Sequence, residues 1–416
     1  MPSRAPKNGF FYGWVIVIIS LVTGIMLLGI RHIYGVFFKS ISGEFDLTRA
    51  VTSGVFSVNM ALSAVFSILG GYALDKYGPK FTIGLMGTIT CISLVLTALT
   101  SSAWQLYLSY SLLLAIGTGA TFTMLSALVS RWFHRKRGLA LGISSAGGGL
   151  GTVILVPLAT YLLLSFDWRI ANIVIAVIAG IFIIPLAMFL KGWPRELGLQ
   201  PDGAKIPPLN AGVNNEKPQA AGLTLRQAAR MRQFWFLFLV WIFQAFAIYF
   251  IVTHIVPHAT DVGMSATEAA RIVSITGMFQ ILAGLAAGFF SDAIGRRSVA
   301  IISALLGVIS LLLLMWSNAF WILYLFSIMF GLCWGGLSTM VSALVGDVFG
   351  IRSIGAIMGW IGVAWFIGAA VGPVIGGLIF DLNKSYFLAF LMSAIGMLVT
   401  AVLAALIARP KSPPVT

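Results

Sequence analysis

Two adjacent titratable residues, Arg31 and His32, interrupt an otherwise uncharged and largely apolar run between residues 10 and 38. A guanidinium presents a planar pair of donors that matches a carboxylate, and an imidazole can bind an anion or carry a proton. On a helix the two side chains project about 100° apart, so only one of them has to face a bound solute. These residue types predict a site for a small organic anion, with or without a coupled proton.

The sequence around Arg31 supplies no countercharge. All twelve acidic residues fall outside the middle of the apolar stretches, and Arg31 is the one basic residue well inside such a stretch. Burying an arginine at the centre of a membrane costs roughly 2.5–3.5 kcal/mol, so its presence favours a binding function. The alternative is structural: the side chain extends along its helix and places the guanidinium among the outer headgroups.

Further candidates for the lining of this site are polar or aromatic residues inside apolar stretches. A large amide in a membrane needs hydrogen-bond partners and an indole can form an aromatic wall, whereas threonine often serves in helix–helix hydrogen bonds. A second histidine is the other candidate for proton coupling. The candidates are Asn59, Thr121, Gln280, Trp334 and Trp360 for binding and His254 for the proton.

The elements that carry these residues are predicted to be membrane-spanning helices. Hydrophobic residues make up 59% of the chain and charged residues 9%, against about 25% charged residues in soluble proteins. The alternating pattern of a barrel is absent, and a bilayer admits only helices or closed barrels. We therefore predict an all-α polytopic membrane protein with twelve transmembrane helices, near residues 12–38, 50–74, 80–100, 104–130, 138–164, 168–190, 233–256, 266–291, 298–317, 320–346, 354–380 and 385–407.

The net charge of +14 reflects topology rather than nucleic-acid binding. Most of the 26 Lys and Arg residues fall in loops on one side of the predicted spans, which is the positive-inside pattern. This pattern predicts a cytoplasmic (inner) membrane protein with both termini in the cytoplasm. The two cysteines, Cys91 and Cys333, fall in different predicted spans, so neither a disulfide nor a metal site is expected.

The chain contains an internal repeat. Residues 123–133 read TMLSALVSRWF and residues 339–349 read TMVSALVGDVF, identical at seven of eleven positions. Two copies of one six-helix unit are typical of transporters that rock two halves about a site at the membrane midplane. We predict two six-helix pseudo-repeats, at 1–190 and 233–416, joined by a cytoplasmic linker at 191–232.

A charged turn is also repeated. Its first copy reads GYALDKYGPK from Gly71, and its second copy follows 217 residues later. Glycine permits a tight turn, and the aspartate can pair with a cation of a neighbouring helix when the inner face is shut. The pattern resembles the signature loop of the major facilitator superfamily, which implies that fold and a gate formed by Gly71, Asp75, Gly78, Arg131, Asp292 and Arg296.

Other segments resemble one branch of that superfamily, the monocarboxylate transporters and oxalate/formate antiporters. In this resemblance His32 replaces a first-helix lysine implicated in proton and substrate binding, whereas Gln280 and Gly284 replace an aspartate and an arginine. Lactate-like proton symport therefore does not follow from it. The segments are YGW at 12–14, GVFFK at 35–39 and WPRELGL at 193–199.

No enzyme or ATP-driven pump is indicated. The glycine-rich run at 146–151 lacks the preceding strand and the following Lys-Ser/Thr of a phosphate-binding loop. We predict a monomeric secondary active transporter without a cofactor, which moves a small organic anion such as a monocarboxylate by alternating access, H+-coupled or by exchange. Two alternatives stay open: efflux of a neutral or amphipathic organic compound, if Arg31 reaches the headgroups, and a non-transporting membrane receptor.

Overall fold

A computed structural model of the chain describes residues 11–133, 136–203, 223–316, 319–350 and 354–407. Fifteen α-helices form most of these residues, and a π-helix at Tyr107–Leu113 joins the fourth to the fifth. The α-helices are α1 Gly13–His32, α2 Tyr34–Glu44, α3 Arg49–Ala98, α4 Ala103–Leu106, α5 Leu114–Thr118, α6 Thr121–Trp132, α7 Arg137–Ser165, α8 Trp168–Met188, α9 Leu225–Ala229, α10 Arg232–Asp261, α11 Ala266–Ile294, α12 Arg296–Leu314, α13 Phe320–Phe349, α14 Ile354–Asn383 and α15 Phe387–Leu406.

Eleven helical segments of the described chain are long and apolar enough to cross a membrane. One of them, α3, has 50 residues and breaks at Gly78, where φ is 78°. The hydroxyl of Thr82 donates to the carbonyl of Ala73 at 3.2 Å, although residues nine apart in a straight helix are separated by about 13.5 Å. The chain therefore turns sharply at Gly78, and α3 supplies two spans. Its counterpart in the second repeat is Gly295 (φ 85°), between α11 and α12.

Part of the predicted linker forms the short helix α9. Thr224 caps it as part of a capping box with Gln227, since each side chain binds the backbone of the other residue. Helix α9 ends at Ala229, and α10 begins at Arg232.

The N-terminal helices (α1–α8) and the C-terminal helices (α9–α15) meet along two seams. Helix α3 packs against α14, and α7 packs against α11. Glycines permit the close approach: a Cβ at Gly377 would lie 2.6 Å from the carbonyl oxygen of Arg49, and one at Gly277 would lie 3.0 Å from that of Gly149. The seams therefore bring backbones of the two repeats into direct contact.

The two ends of the bundle differ. We call the end that carries Arg49 and Asp381 the Arg49 end, and the end that carries Gly78 the Gly78 end. In the described residues, the hydrogen bonds and ion pairs that join the N-terminal to the C-terminal helices lie at the Arg49 end. At the Gly78 end Tyr72 and Phe289 are 66% and 76% exposed. Among the described residues, polar contacts therefore link the two sets of helices at the Arg49 end.

Candidate substrate site

Arg31 lies one residue before the end of α1 and points into the bundle. Its Nε donates to Oγ1 of Thr118 at 2.9 Å, and its Nη2 donates to Oγ of Ser63 at 3.0 Å. Both hydroxyls are buried on other helices, and Arg31 itself is 5% exposed. This is not the position of a side chain that extends to the headgroups, so the structural alternative for Arg31 is wrong.

The guanidinium has no acidic partner among the described residues. None of the ion pairs found in the described residues includes Arg31. Its ionisable neighbours include the phenols of Tyr110 and Tyr249. An arginine carries five N–H donors, and these hydroxyls accept only some of them. The remaining donors and the uncompensated charge are what an anionic ligand requires.

His32 faces a different part of the bundle, as its position one residue along the helix predicts. Its Nδ1 lies 2.5 Å from Oγ1 of Thr152, and that hydroxyl is 3.1 Å from the carbonyl of Gly148, to which it donates. Thr152 then accepts from His32, so Nδ1 carries the hydrogen. The other nitrogen, Nε2, is left for a proton or a ligand.

Trp334, on α13 of the second repeat, contacts His32. Its ring meets that of His32 edge to face, with centroids 5.7 Å apart. Close packing of α13 on α11 places it there, because a Cβ at Gly335 would lie 2.0 Å from the backbone oxygen of Gln280. The side-chain Oε1 of Gln280 is buried and has no hydrogen-bond partner. Arg31, His32 and Trp334 therefore lie close together, and Gln280 lies on the helix that packs against α13.

Asn59 and Thr121 have backbone partners. The π-helix Tyr107–Leu113 alters the backbone bonding of the fourth span, and Nδ2 of Asn59 donates to the carbonyls of Tyr110 and Ser111 at 3.1 and 3.3 Å. Thr121 donates to the carbonyl three residues earlier at 2.7 Å. These contacts give both residues a place in helix packing, and substrate binding by either stays a prediction.

Trp360 does not join this group in the part of the chain that is described. Its side chain is 58% exposed, and no ring contact or hydrogen bond connects it with Arg31 or His32. Trp365, five residues later on α14, instead packs edge to face against Tyr249 with centroids 5.9 Å apart. A role for Trp360 in binding remains a prediction without a contact to support it.

The Arg49 end is held by a cluster that the sequence did not indicate. Nη2 of Arg49 lies 2.7 Å from Oδ2 of Asp261, and Nη1 donates to Oη of Tyr386 at 2.5 Å. The guanidinium also lies 3.6 Å from the ring centroid of Phe380. These contacts join the second span to the seventh, eleventh and twelfth, and therefore to the other repeat.

A carboxylate of the C-terminal helices also caps an N-terminal helix at this end. Oδ1 and Oδ2 of Asp381 accept from the backbone nitrogens of Arg49 and Ala50 at 3.0 and 2.8 Å. These nitrogens open α3, where the free N–H groups and the helix dipole favour a negative charge. The cap adds a second link across the seam.

His254, the other proton candidate, belongs to the Arg49 end. Its Nε2 lies 2.8 Å from the carbonyl of Pro373, which can only accept, so Nε2 carries a hydrogen. Its Nδ1 lies 3.0 Å from Oη of Tyr386 and accepts from that phenol, which itself accepts from Arg49. His254 thus belongs to a chain of hydrogen bonds at the Arg49 end that runs from Arg49 through Tyr386. Its role in proton coupling stays a prediction.

The signature loop forms the ion pair that the sequence predicted. Nη2 of Arg131 pairs with Oδ1 of Asp75, and the guanidinium stacks 4.7 Å from the ring of Trp193. Both members belong to N-terminal helices, and they are paired although the described residues show no polar contact between the two sets of helices at the Gly78 end. The pair therefore braces the turn at Gly78 within one repeat, while its role as a gate stays a prediction. A Cβ at Gly71 would meet nothing within 4 Å.

In the second copy of the loop the arginine lies at the turn and the carboxylate lies on the neighbouring helix, the reverse of the first copy. Nη1 of Arg296 lies 2.5 Å from Oδ1 of Asp347. In the repeat Asp347 stands where Arg131 stands in the first copy, 216 residues earlier. The side chain of Asp292 lies outside the part that the structure describes.

Comparison with known proteins agrees with this architecture. The family model described as Major Facilitator Superfamily matches residues 16–270 and 255–416. Monocarboxylate transporter 13 of Bos taurus is 26% identical over 411 residues, covering 96% of this chain and 92% of the relative. Monocarboxylate transporter 12 of Xenopus laevis is 25% identical over 417 residues, covering 96% and 89%. These relatives confirm the resemblance to the monocarboxylate branch.

Solved structures of the same fold are also similar. A bacterial homologue of the human lysosomal transporter Spinster, in an inward-facing and unoccupied conformation, superposes with a TM-score of 0.74 at 17% identity, over 96% of each chain. Its inward-facing and occupied form gives a TM-score of 0.70 at 16% identity. With the family model matching both repeats, this chain is a multi-pass membrane protein that belongs to the major facilitator superfamily.

Proposed function

We propose that this chain is a secondary active transporter of a small organic anion, most simply a monocarboxylate, and that it works by alternating access. The observation that carries the proposal is Arg31, a buried cation with unused donors and no acidic partner among the described residues. The inward direction of this side chain favours an anion over the neutral or amphipathic cargo of the alternative. The similar transporters from cattle and frog, named for monocarboxylates, support the same class of solute.

The proposal also assigns sides and units. With the termini in the cytoplasm, as the distribution of basic residues predicts, the Arg49 end faces outward and the Gly78 end faces the cytoplasm of a cytoplasmic membrane. The structure then represents an inward-facing state. The two rocking units are residues 1–190 and 233–416, linked by 191–232, and one chain is the transporting unit.

Two histidines, His32 and His254, stay candidates for coupling, and His32 is the one that lies next to Arg31. Nε2 of His32 is free to take a proton, whereas the described spans carry no carboxylate near Arg31. Proton symport through His32 and exchange of one anion for another are therefore the two forms of the proposal. Neither requires a cofactor or makes the chain an enzyme.

The test is uptake of a panel of labelled monocarboxylates into proteoliposomes. Arg31→Gln removes the charge, and the loss of a charge-assisted hydrogen bond of about 1.5–3 kcal/mol raises KM by roughly tenfold or more. Arg31→Lys keeps the charge but loses the planar pair of donors, so its KM rises less. Arg271→Gln, which removes an exposed arginine of α11, is the control and leaves KM unchanged.

Two results would contradict the proposal. Uptake by Arg31→Gln with the KM of the wild type would remove the anion site. Absence of uptake of every tested anion by well-folded wild-type protein would favour the non-transporting receptor.

A further inference from the structure

A pair of indoles lies beside Tyr249. The ring of Trp365 meets Tyr249 at 5.9 Å and 82°, and Trp241 meets Trp365 at 5.6 Å and 67°. We call Trp241 and Trp365 the indole pair. Since the phenol of Tyr249 is also an ionisable neighbour of Arg31, the same tyrosine borders both the uncompensated cation and the two large aromatic faces.

Polar atoms beside the indole pair lack partners in the described structure. Nε1 of Trp241 is buried and makes no hydrogen bond, and the same holds for Oε1 of Gln244, one turn further along α10. The amide of Gln244 is held in place, because its Nε2 donates to Oγ of Ser338 at 2.8 Å. A buried donor or acceptor without a partner is destabilising by about 1–3 kcal/mol, and a ligand or its bound water removes that penalty.

The indole pair is also not sealed into the core. Both indoles are only partly buried, whereas Tyr249 beside them is 6% exposed. Edge-to-face indoles present flat apolar faces on which a further ring can stack with a gain beyond area burial. A short aliphatic acid bound at Arg31 would leave these faces and the free polar atoms unused.

From this arrangement we propose that the solute is an aryl carboxylate, whose carboxylate binds Arg31 and whose ring packs against Trp365 and Trp241. This inference rests on the proposed transport of an organic anion and narrows it to acids that carry an aromatic ring on a short linker. Trp365 is then the residue that determines specificity, while Arg31 binds any carboxylate.

Four probes of related shape test the assignment by calorimetric titration of purified protein. They are 3-phenylpropanoate, 3-cyclohexylpropanoate, propanoate and the neutral 3-phenylpropanamide. We expect 3-phenylpropanoate to bind about tenfold or more tightly than propanoate, since burial of the ring and stacking act together. The cyclohexyl acid binds between these two, and the amide binds weakly because it lacks the charge.

Variants separate the two ends of the ligand. Trp365→Leu reduces the preference for 3-phenylpropanoate over propanoate by about fivefold or more and leaves propanoate unchanged. Arg31→Gln weakens both acids by the same factor and preserves the preference. Trp321→Leu, which replaces a 64% exposed indole at the start of α13, changes neither affinity.

The outcomes distinguish this inference from the proposed function. If both acids bind through Arg31 but Trp365→Leu weakens them equally or not at all, the indole pair only packs and the aryl assignment is wrong, while anion transport stands. If neither acid binds to the wild type, the proposed function fails together with the inference. Ligand-free melting temperatures of the variants identify any that are misfolded, and Trp365→Phe replaces Trp365→Leu if the latter is unstable.

Discussion

Replacement of Arg49 is expected to open the end of the bundle that this residue closes. In Arg49→Gln the ion pair with Asp261 and the stacking on Phe380 are lost, while the backbone cap by Asp381 remains because it uses N–H groups. These contacts exist only where the two repeats meet. Their loss therefore destabilises the state closed at the Arg49 end relative to a state that is open there.

The magnitude follows from exposure. The side chains of Arg49 and Asp261 are 16% and 31% exposed, so a charge-assisted bond of about 1.5–3 kcal/mol is taken at its lower limit, about 1.5 kcal/mol. Stacking of a guanidinium on an aromatic ring contributes about 0.5 kcal/mol at a partly exposed site. The sum of about 2 kcal/mol corresponds to a roughly 30-fold larger open population.

Lys39 provides a matched control on the same carboxylate. Its Nζ lies 2.5 Å from Oδ1 of Asp261, but its side chain is 42% exposed. An exposed ion pair contributes at most about 1 kcal/mol, so Lys39→Met raises the open population by about fivefold or less. The two variants remove equal charge from the same end, but they differ in burial and in the contacts of Arg49 with Phe380 and Tyr386.

The assay is the labelling rate of a cysteine hidden by the closed end. Ser53 is fully buried at the seam between α3 and α14, and Ser53→Cys in a Cys91→Ala, Cys333→Ala background reports each opening. When opening and closing are faster than labelling, the rate is proportional to the open population. Equal rates for Arg49→Gln and Lys39→Met would refute the conclusion that the Arg49 cluster holds this end shut.

Three further predictions concern other parts of the two repeats. Asp75→Asn slows turnover but changes the free energy of unfolding by less than about 1 kcal/mol, because the pair with Arg131 is exposed on the carboxylate side. His32→Gln removes the imidazole next to Arg31 that could exchange a proton with the solute, so we expect the pH dependence of uptake to become weaker than in the wild type. Gly35→Ala places a Cβ 2.5 Å from the carbonyl oxygen of Val252, which destabilises the state closed at the Arg49 end and raises cysteine labelling there.

Each of these predictions has its own contradicting result. Unchanged turnover of Asp75→Asn would leave Asp75 as a turn residue, and an unchanged pH profile of His32→Gln would favour anion exchange without a proton. Gly43→Ala is the control for Gly35→Ala. Gly43 lies on the same helix, and a Cβ at this position would meet no atom within 4 Å. Equal labelling of these two glycine variants would mean that the contact of α2 with α10 does not keep this end closed.

Features encoded by local pattern were predictable from the sequence. Long apolar runs predict helical spans in any environment without water. The repeated turn identified Gly78 as the boundary between the second and third spans, although the hydrogen-bond pattern assigns both spans to the single helix α3. Arg31 stood out because a buried charge is rare in a membrane. In each case the signal is a property of one short segment.

Contacts between distant segments were not predictable. Arg49 pairs with residues 212 and 332 positions away, and each partner by itself resembles an ordinary loop charge. The same holds for Ser63 and Tyr249, whose relation to Arg31 depends on how three helices pack. In a membrane helix both the lipid side and the protein side are apolar, so hydrophobic periodicity did not distinguish Trp360, which is exposed, from Trp365, which packs beside Tyr249.

Helix α2 connects the candidate site with the Arg49 end, and this connection gives the proposed alternating access a physical route. The helix begins two residues after His32, and Oη of Tyr34 donates at 2.5 Å to the carbonyl of Thr52 in α3. One turn later the ring of Phe38 lies 5.2 Å from that of His254, a member of the Arg49 cluster. Opening of the Arg49 end has to separate Phe38 from His254, and it therefore moves the chain directly after Arg31. An anion bound to Arg31, as proposed, and the contacts that hold the Arg49 end closed thus act on the same short helix. Binding of the anion can therefore shift the equilibrium between the closed and open states of the Arg49 end through α2 alone, without other helices in between.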